Sequence, residues 1–236
     1  MQLWRVVEHQ AAISTRALTD TLAEQERLEQ LLEATKPPKP PETPPELHYL
    51  LHTPFRYYPC DGLARFSSPR SHGHFYGAEA IPTALAEYSF RQWCILDDMA
   101  CDHAGYVNEL PRTVFAAAAM GFRAIDLTQP PFAAFADQLC APQDYTACQE
   151  LADAMQAEDI HAARYRSVRD PEAGTCGVLF TAAAFAQSEP LAYQTWNMRL
   201  DLEAVEWVRL APAGVSLVFA REAFLVDGRL PRPSAS

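Results

Sequence analysis

Apolar side chains recur at helical spacing between residues 13 and 35: Leu18, Leu22, Leu28, Leu31 and Leu32 make an approximate stripe, with Glu24, Glu26, Arg27 and Glu29 on other faces. The spacing predicts a helix capped by Ser14 or Thr15. It has to stop near Thr35, because KPPKPPETPP follows. Six of those ten residues are proline, which lacks a backbone donor and fixes φ, so the stretch reads as a semi-rigid polyproline strap. From Leu47 to about Gly77 the texture changes to short apolar pieces between turn residues (LHYLLHTPFRYY, PCDG, LARFSSP, RSHGHFYG), which reads as short strands and tight loops. IPTALAEYSFRQWCI predicts a helix, with Pro82 in its first turn and Leu85, Tyr88, Phe90 and Trp93 as apolar contacts. RTVFAAAAM fits strand or helix, and FRAIDLT reads as a strand. Residues 144–157 read as a helix opened by Asp144. IHAARYRSV and CGVLFTAAAF read as two strands joined at DPEAG, QTWNMRLDL, VEWVRL and GVSLVFA as further strands, and RLPRPSAS as a frayed tail. Strands interrupted by helices without strict βαβ alternation define an α+β domain. The expected organisation is an N-terminal helical segment and strap over 1–46, the main domain over 47–225, and a tail over 226–236.

Composition narrows the function classes. A chain of 236 residues, 49% of them apolar, can build a real core. A formal charge of −11 argues against direct nucleic-acid binding, which needs clustered Lys and Arg. The lack of any long apolar run argues against a membrane span, and the N-terminal MQLWRVVEHQ has no signal-peptide pattern, so a cytoplasmic protein is expected. Cys60, Cys94, Cys101, Cys140, Cys148 and Cys176 form no C-x-x-C pair and read as small buried side chains rather than ligands. His72 and His74, with His103 as the nearest third candidate, carry only a weak case for zinc, and no metal site is expected. No P-loop, G-x-G-x-x-G or G-x-S-x-G motif is present.

What stands out is a concentration of polar chemistry between positions 54 and 91. Arg56 sits between Phe55 and Tyr57, Arg65 directly precedes Phe66, and Tyr76 lies near the end of HFYG. Glu87 is set inside the apolar helix LAEYSF. A carboxylate among apolar neighbours is costly to bury unless hydrogen-bonded. Guanidinium forks match phosphate oxygens, an aromatic face suits a flat cation, and a carboxylate stabilises positive charge developing on a sugar. The set suits cleavage of an N-glycosidic bond in a pyrophosphate-containing substrate such as NAD+. Surface salt bridges and an exposed helix position are the plainer alternatives for each residue taken singly.

The run PFRYYPCDGLARFSSP…GHFYGAEAIPTALAEYSFR, followed by ARYRSVRDPEAGTCGVLF, resembles the RES-domain family over roughly residues 47–210. The resemblance implies an ADP-ribosyltransferase-like fold and the toxin role of a bacterial toxin–antitoxin module, degrading NAD+ by phosphorolysis or hydrolysis. NAD+ is then a substrate, with inorganic phosphate a possible co-substrate and no bound cofactor. The implied partner is an Xre-type DNA-binding antitoxin that covers the active site. By the same resemblance Arg56, Glu87 and Ser167 are catalytic, and Arg65, Tyr76 and Arg169 bind substrate. The long N-terminal segment departs from the minimal family domain. Two other readings stay open: a mono-ADP-ribosyltransferase acting on a protein, and a catalytically silent interaction protein using the N-terminal helix and strap.

Overall fold

The computed structural model describes residues 1–9, 18–58, 64–68, 71–99, 106–211 and 214–233. Along the chain the elements are β1 (Gln2–Glu8), α1 (Leu22–Thr35), α2 (Tyr49–His52), β2 (Phe75–Ala78), α3 (Ile81–Asp98), β3 (Asn108–Ala118), β4 (Ala124–Asp126), α4 (Ala136–Leu139), α5 (Thr146–Ala157), β5 (Ala162–Arg166), β6 (Thr175–Leu179), β7 (Ala192–Leu200), β8 (Ala204–Ala211) and β9 (Ser216–Ala220). Among the described residues the strands form one nine-stranded sheet in the order β4-β5-β6-β2-β1-β3-β7-β8-β9, antiparallel except for β4 against β5. This is the expected α+β architecture.

Several local readings change. The N-terminal residues are not a separate helical segment. β1 lies inside the sheet, its seven residues paired with β3 from Gln2↔Ala118 to Glu8↔Arg112, and it meets β2 at Trp4↔Ala78. A boundary at residue 46 therefore cuts through one hydrogen-bonded ladder. Of the helix predicted over 13–35, α1 takes Leu22–Thr35 and begins at Thr21, which makes a reciprocal capping box with Glu24. The candidate caps Ser14 and Thr15 fall outside the described residues, as do PCDG, Cys60, Cys101 and His103. LHYLLHTPFR is not a strand. It folds as α2 and a 3₁₀ turn over Thr53–Arg56, opened by the His48 ring accepting from Leu50 N–H. RTVFAAAAM resolves as strand β3, and TAAAF turns into a 3₁₀ segment at Ala182–Ala184. Residues 229–233 of the tail are held rather than frayed: Leu230 is buried, and the Arg232 guanidinium bonds Cys94 O and Asp98.

The sheet is covered on both faces. On one, α3 buries Leu85, Phe90, Trp93 and Leu96 against Val6, Val114, Trp196, Met198 and Trp207. α5 packs beside it, with Cys148, Ala152 and Met155 against Phe66, Ala163 and Val178. On the other, α2 and its 3₁₀ turn lay Leu50, Leu51 and Phe55 on Leu3, Phe75, Phe115 and Leu179. Gly177 gives the buried Leu3 side chain room to lie over β6: a Cβ there would stand 2.8 Å from a Leu3 methyl. Helix α3 is fastened from beyond its own turn: Trp93 Nε1 donates to Asp201 O (2.9 Å), and Trp207 Nε1 donates to Ser89 Oγ (3.0 Å). These ties set the rotation of the helix that carries Glu87.

Candidate active site

Glu87 lies midway along α3 and faces the turn that joins β5 to β6. That turn is built around Ser167, directly after the last residue of β5. Ser167 Oγ accepts from Arg169 N–H (3.2 Å) and Asp170 N–H (2.9 Å) and donates to Glu87 Oε1 at 2.5 Å. With two backbone donors fixing its lone pairs, the hydroxyl has one direction left for its proton, toward the carboxylate. The turn is itself closed by Asp170, whose carboxylate accepts from Glu172 N–H and Gly174 N–H. A Cβ on Gly174 would lie 2.1 Å from Thr83 Oγ1, so glycine is what lets the turn sit against α3. Burial pushes the Glu87 carboxyl above the ordinary carboxylate range, against the opposing pull of the Ser167 hydroxyl and the Arg169 and Arg65 charges. Burial likewise holds the nearby Cys176 thiol and Tyr165 phenol well above their usual values.

Arg169 and Arg65 are both 6% exposed. Arg169 lies over the Phe90 ring (4.1 Å to the centroid), and its Nη2 donates to Pro142 O (2.7 Å) and Tyr145 Oη (2.6 Å). Arg65 stacks on the other functional part of that tyrosine, its ring, at 4.2 Å. Its Nη1 donates to Leu139 O (3.1 Å) and its Nη2 to Ala141 O (2.9 Å). Tyr76 is joined to the Arg65 segment from below: its phenol accepts from Phe66 N–H (3.2 Å) and shares a hydrogen bond with Ser67 Oγ (3.0 Å), and burial pushes it up to about 12. The structure thus gathers Glu87, Ser167, Arg169, Arg65 and Tyr76.

Arg56 is not brought to this group. Its Nη1 pairs with Glu33 of α1 (2.7 Å) and its Nε donates to Pro37 O of the strap (2.8 Å). The expected catalytic arginine is an anchor for the N-terminal helix instead, because the 3₁₀ turn that carries it packs on the sheet face opposite α3. Arg5 of β1, which sequence reasoning did not single out, touches one residue of the group at that residue's backbone. Its Nη1 donates to Tyr76 O (3.0 Å) and its guanidinium lies over Phe75 (5.0 Å). Burial, and then the like charge of Arg91, lower it to about 10, opposed by Tyr76 and Tyr165. The available signal was an arginine inside the apolar run LWRVV, where a charge needs a reason. The two histidines share no site: His72 is exposed and stacks on Tyr58, whereas His74 is buried and bonded to Ser67 Oγ (2.9 Å). Among the described residues no group of three His, Cys, Asp or Glu side chains is arranged to hold a metal.

Ser67 and His74 also explain the position of Arg65. Burial lowers His74 to about 4, so its ring is neutral near pH 7 and can take the Ser67 proton at Nδ1. The Arg65–Phe66–Ser67 segment is thereby held by two hydrogen bonds to Tyr76 of β2 and one to His74 just before it, rather than by a strand ladder. Among the described residues no helix is long and apolar enough to cross a membrane. A family model described as the RES domain matches residues 40–201 of the chain. No curated protein matches it.

Proposed function

The chain belongs to the RES-domain family, and on that footing we propose that it cleaves the nicotinamide–ribose bond of NAD+, with Glu87 and Ser167 at the reacting ribose. One observation carries the reading: a half-buried carboxylate takes a 2.5 Å hydrogen bond from Ser167, and its charge is felt by two guanidiniums. In the reaction the C1′–N bond breaks and its electron pair goes to nicotinamide, which leaves neutral and needs no proton. The ribose becomes oxocarbenium-like. Glu87, ionised, stabilises that cation and holds a ribose hydroxyl, as carboxylates do in glycoside cleavage. Ser167 keeps the carboxylate in one rotamer, and the turn behind it keeps Ser167 in place. Arg65 and Arg169 bind the pyrophosphate as charged forks, and Tyr76 holds the segment that carries Arg65 through its bonds to Phe66 N–H and Ser67 Oγ. Phosphate or water then attacks C1′. Phosphate yields a phosphorylated ADP-ribose; water yields ADP-ribose and a proton.

The biological part of the proposal follows the family. A cell that loses NAD+ stops growing, so this activity suits a toxin, restrained by an Xre-type antitoxin seated on the cleft. A charge of −11 favours a partner with a basic contact surface. The test is to follow nicotinamide and ADP-ribose products by NMR, with and without phosphate, for the wild-type protein and Glu87→Gln. The substitution is expected to slow nicotinamide release by about a hundredfold or more, about 3 kcal/mol of barrier. Near-normal turnover in that variant would refute the mechanism. Release that requires phosphate would make the enzyme a phosphorylase, and transfer to an added protein would make it an ADP-ribosyltransferase.

A further inference from the structure

Tyr145 touches both guanidiniums of the site through different parts of one side chain. It stands immediately before α5 and is 8% exposed. Its phenol oxygen accepts from Arg169 Nη2 at 2.6 Å, and its ring face lies under the Arg65 guanidinium at 4.2 Å. Two like charges held close together repel, more strongly where water is excluded. A carboxylate between them would relieve the repulsion but would also cancel the charge that an anionic ligand needs. A phenol does otherwise: one lone pair and one π face hold two cations and leave both charges intact. The other contacts on the same side are also neutral, being the carbonyls of Leu139, Ala141 and Pro142. Nη1 of Arg169 meanwhile remains buried without a hydrogen-bond partner, so the pair still has a donor for a ligand oxygen.

We propose that Tyr145 is a positioning residue that sets the spacing of Arg65 and Arg169 so that the pair receives the two linked phosphates of a dinucleotide. This rests on the NAD+ reading above and adds to it the element that selects a pyrophosphate. Tyr145 acts through the arginines and not on the reacting carbon. Its loss therefore weakens binding in the ground state and the transition state alike, raising KM and leaving kcat in place.

The two functions of the side chain can be removed separately. Tyr145→Phe keeps the face under Arg65 and deletes the acceptor for Arg169, whereas Tyr145→Leu deletes both. In steady-state NAD+ cleavage the Phe variant is expected to raise KM roughly tenfold, on the scale of one hydrogen bond to a charged group, with kcat within about twofold. The Leu variant should raise KM further. Tyr145→Phe should add little in an Arg169→Gln background and its full effect in an Arg65→Gln background. A fall in kcat at unchanged KM, or full additivity with Arg169→Gln, would overturn the inference. Calorimetric binding of inorganic pyrophosphate separates it from the cleavage reading. If the wild-type protein releases no nicotinamide but binds pyrophosphate, and both Tyr145 variants bind it more weakly, the cleavage reading falls and the positioning role stands. Equal binding by wild type and variants, or none by the wild type, overturns the positioning role.

Discussion

Glu87 is half-buried and His74 is buried, and their titrations affect stability in opposite directions. Glu87 has its folded-state pKa raised by burial, so the folded protein disfavours the ionised form relative to the unfolded chain. Its contribution to stability is complete below the unfolded value of about 4.5 and is lost as pH rises through the folded value. Glu87→Gln keeps an acceptor for Ser167 without the charge. It should match the wild type in thermal unfolding near pH 4 and be the more stable protein at pH 7 and above, while losing activity. On the proposed mechanism the same titration should make wild-type nicotinamide release, followed by NMR, fall as pH drops through the raised pKa of Glu87, at higher pH than an ordinary carboxylate would produce. For His74 the folded value is depressed to about 4 from 6.5. Stability is therefore present above pH 6.5 and lost as pH falls toward 4, by roughly 3 kcal/mol at about 1.4 kcal/mol per pKa unit. Chemical denaturation at pH 7 and pH 4.5 should show this loss in the wild type and a smaller one in His74→Gln. Equal losses would mean that the ring is accessible to water.

The elements divide into tightly held and loosely held ones. α3 buries eight side chains and is tied to the C-terminal strands by Trp93 and Trp207. α4 and the 3₁₀ turn over Phe132–Phe135 bury none. Few buried contacts mean cheap local opening, so amides of 132–139 should exchange orders of magnitude faster than those of α3. α1 is a third case. It buries only Gln25, and Arg56 ties it and the strap to the body through Glu33 and Pro37 O. Arg56→Ala is expected to expose α1 and the strap to protease, with cleavage near residues 36–44 several times faster than in the wild type. Nicotinamide release measured on the same variant tests the assignment: a loss as deep as that of Glu87→Gln would return Arg56 to the site. The strap is rigid for a local reason, its prolines, but where it lies is decided by one guanidinium from another part of the chain.

At the scale of the whole molecule the matched family segment and the folding unit do not coincide. The match covers residues 40–201, yet β1 lies within the sheet ahead of it, and Val205 and Trp207 of β8 are fully buried behind it. A chain cut after residue 201 would lose two strands and the Trp207 hydrogen bond to Ser89 of α3. It should be recovered insoluble or without a cooperative thermal transition, as should a chain lacking residues 1–8. The 236-residue chain should show one transition, checked by calorimetry. Deleting residues 1–45 is therefore no clean test of the N-terminal segment, because it removes a central strand along with α1. What the sequence determined by itself was whatever depends on neighbours a few residues away. Pro82 and the apolar spacing after it define α3, the turn DPEAG joins β5 to β6, and the proline run stops α1. On these elements the placing of Glu87 and Ser167 was legible. Which distant side chains meet depends on the packed fold. β1 is flanked by strands and packed on both faces, so LWRVVE lacks the alternation that marks a half-exposed strand, and Arg5 was hidden with it. LHYLLH is too short for its period to separate helix from strand. Arg56, Arg5 and Tyr145 are ordinary residues in the linear text, and their roles come from long-range pairing across the sheet and from burial, neither of which local spacing encodes.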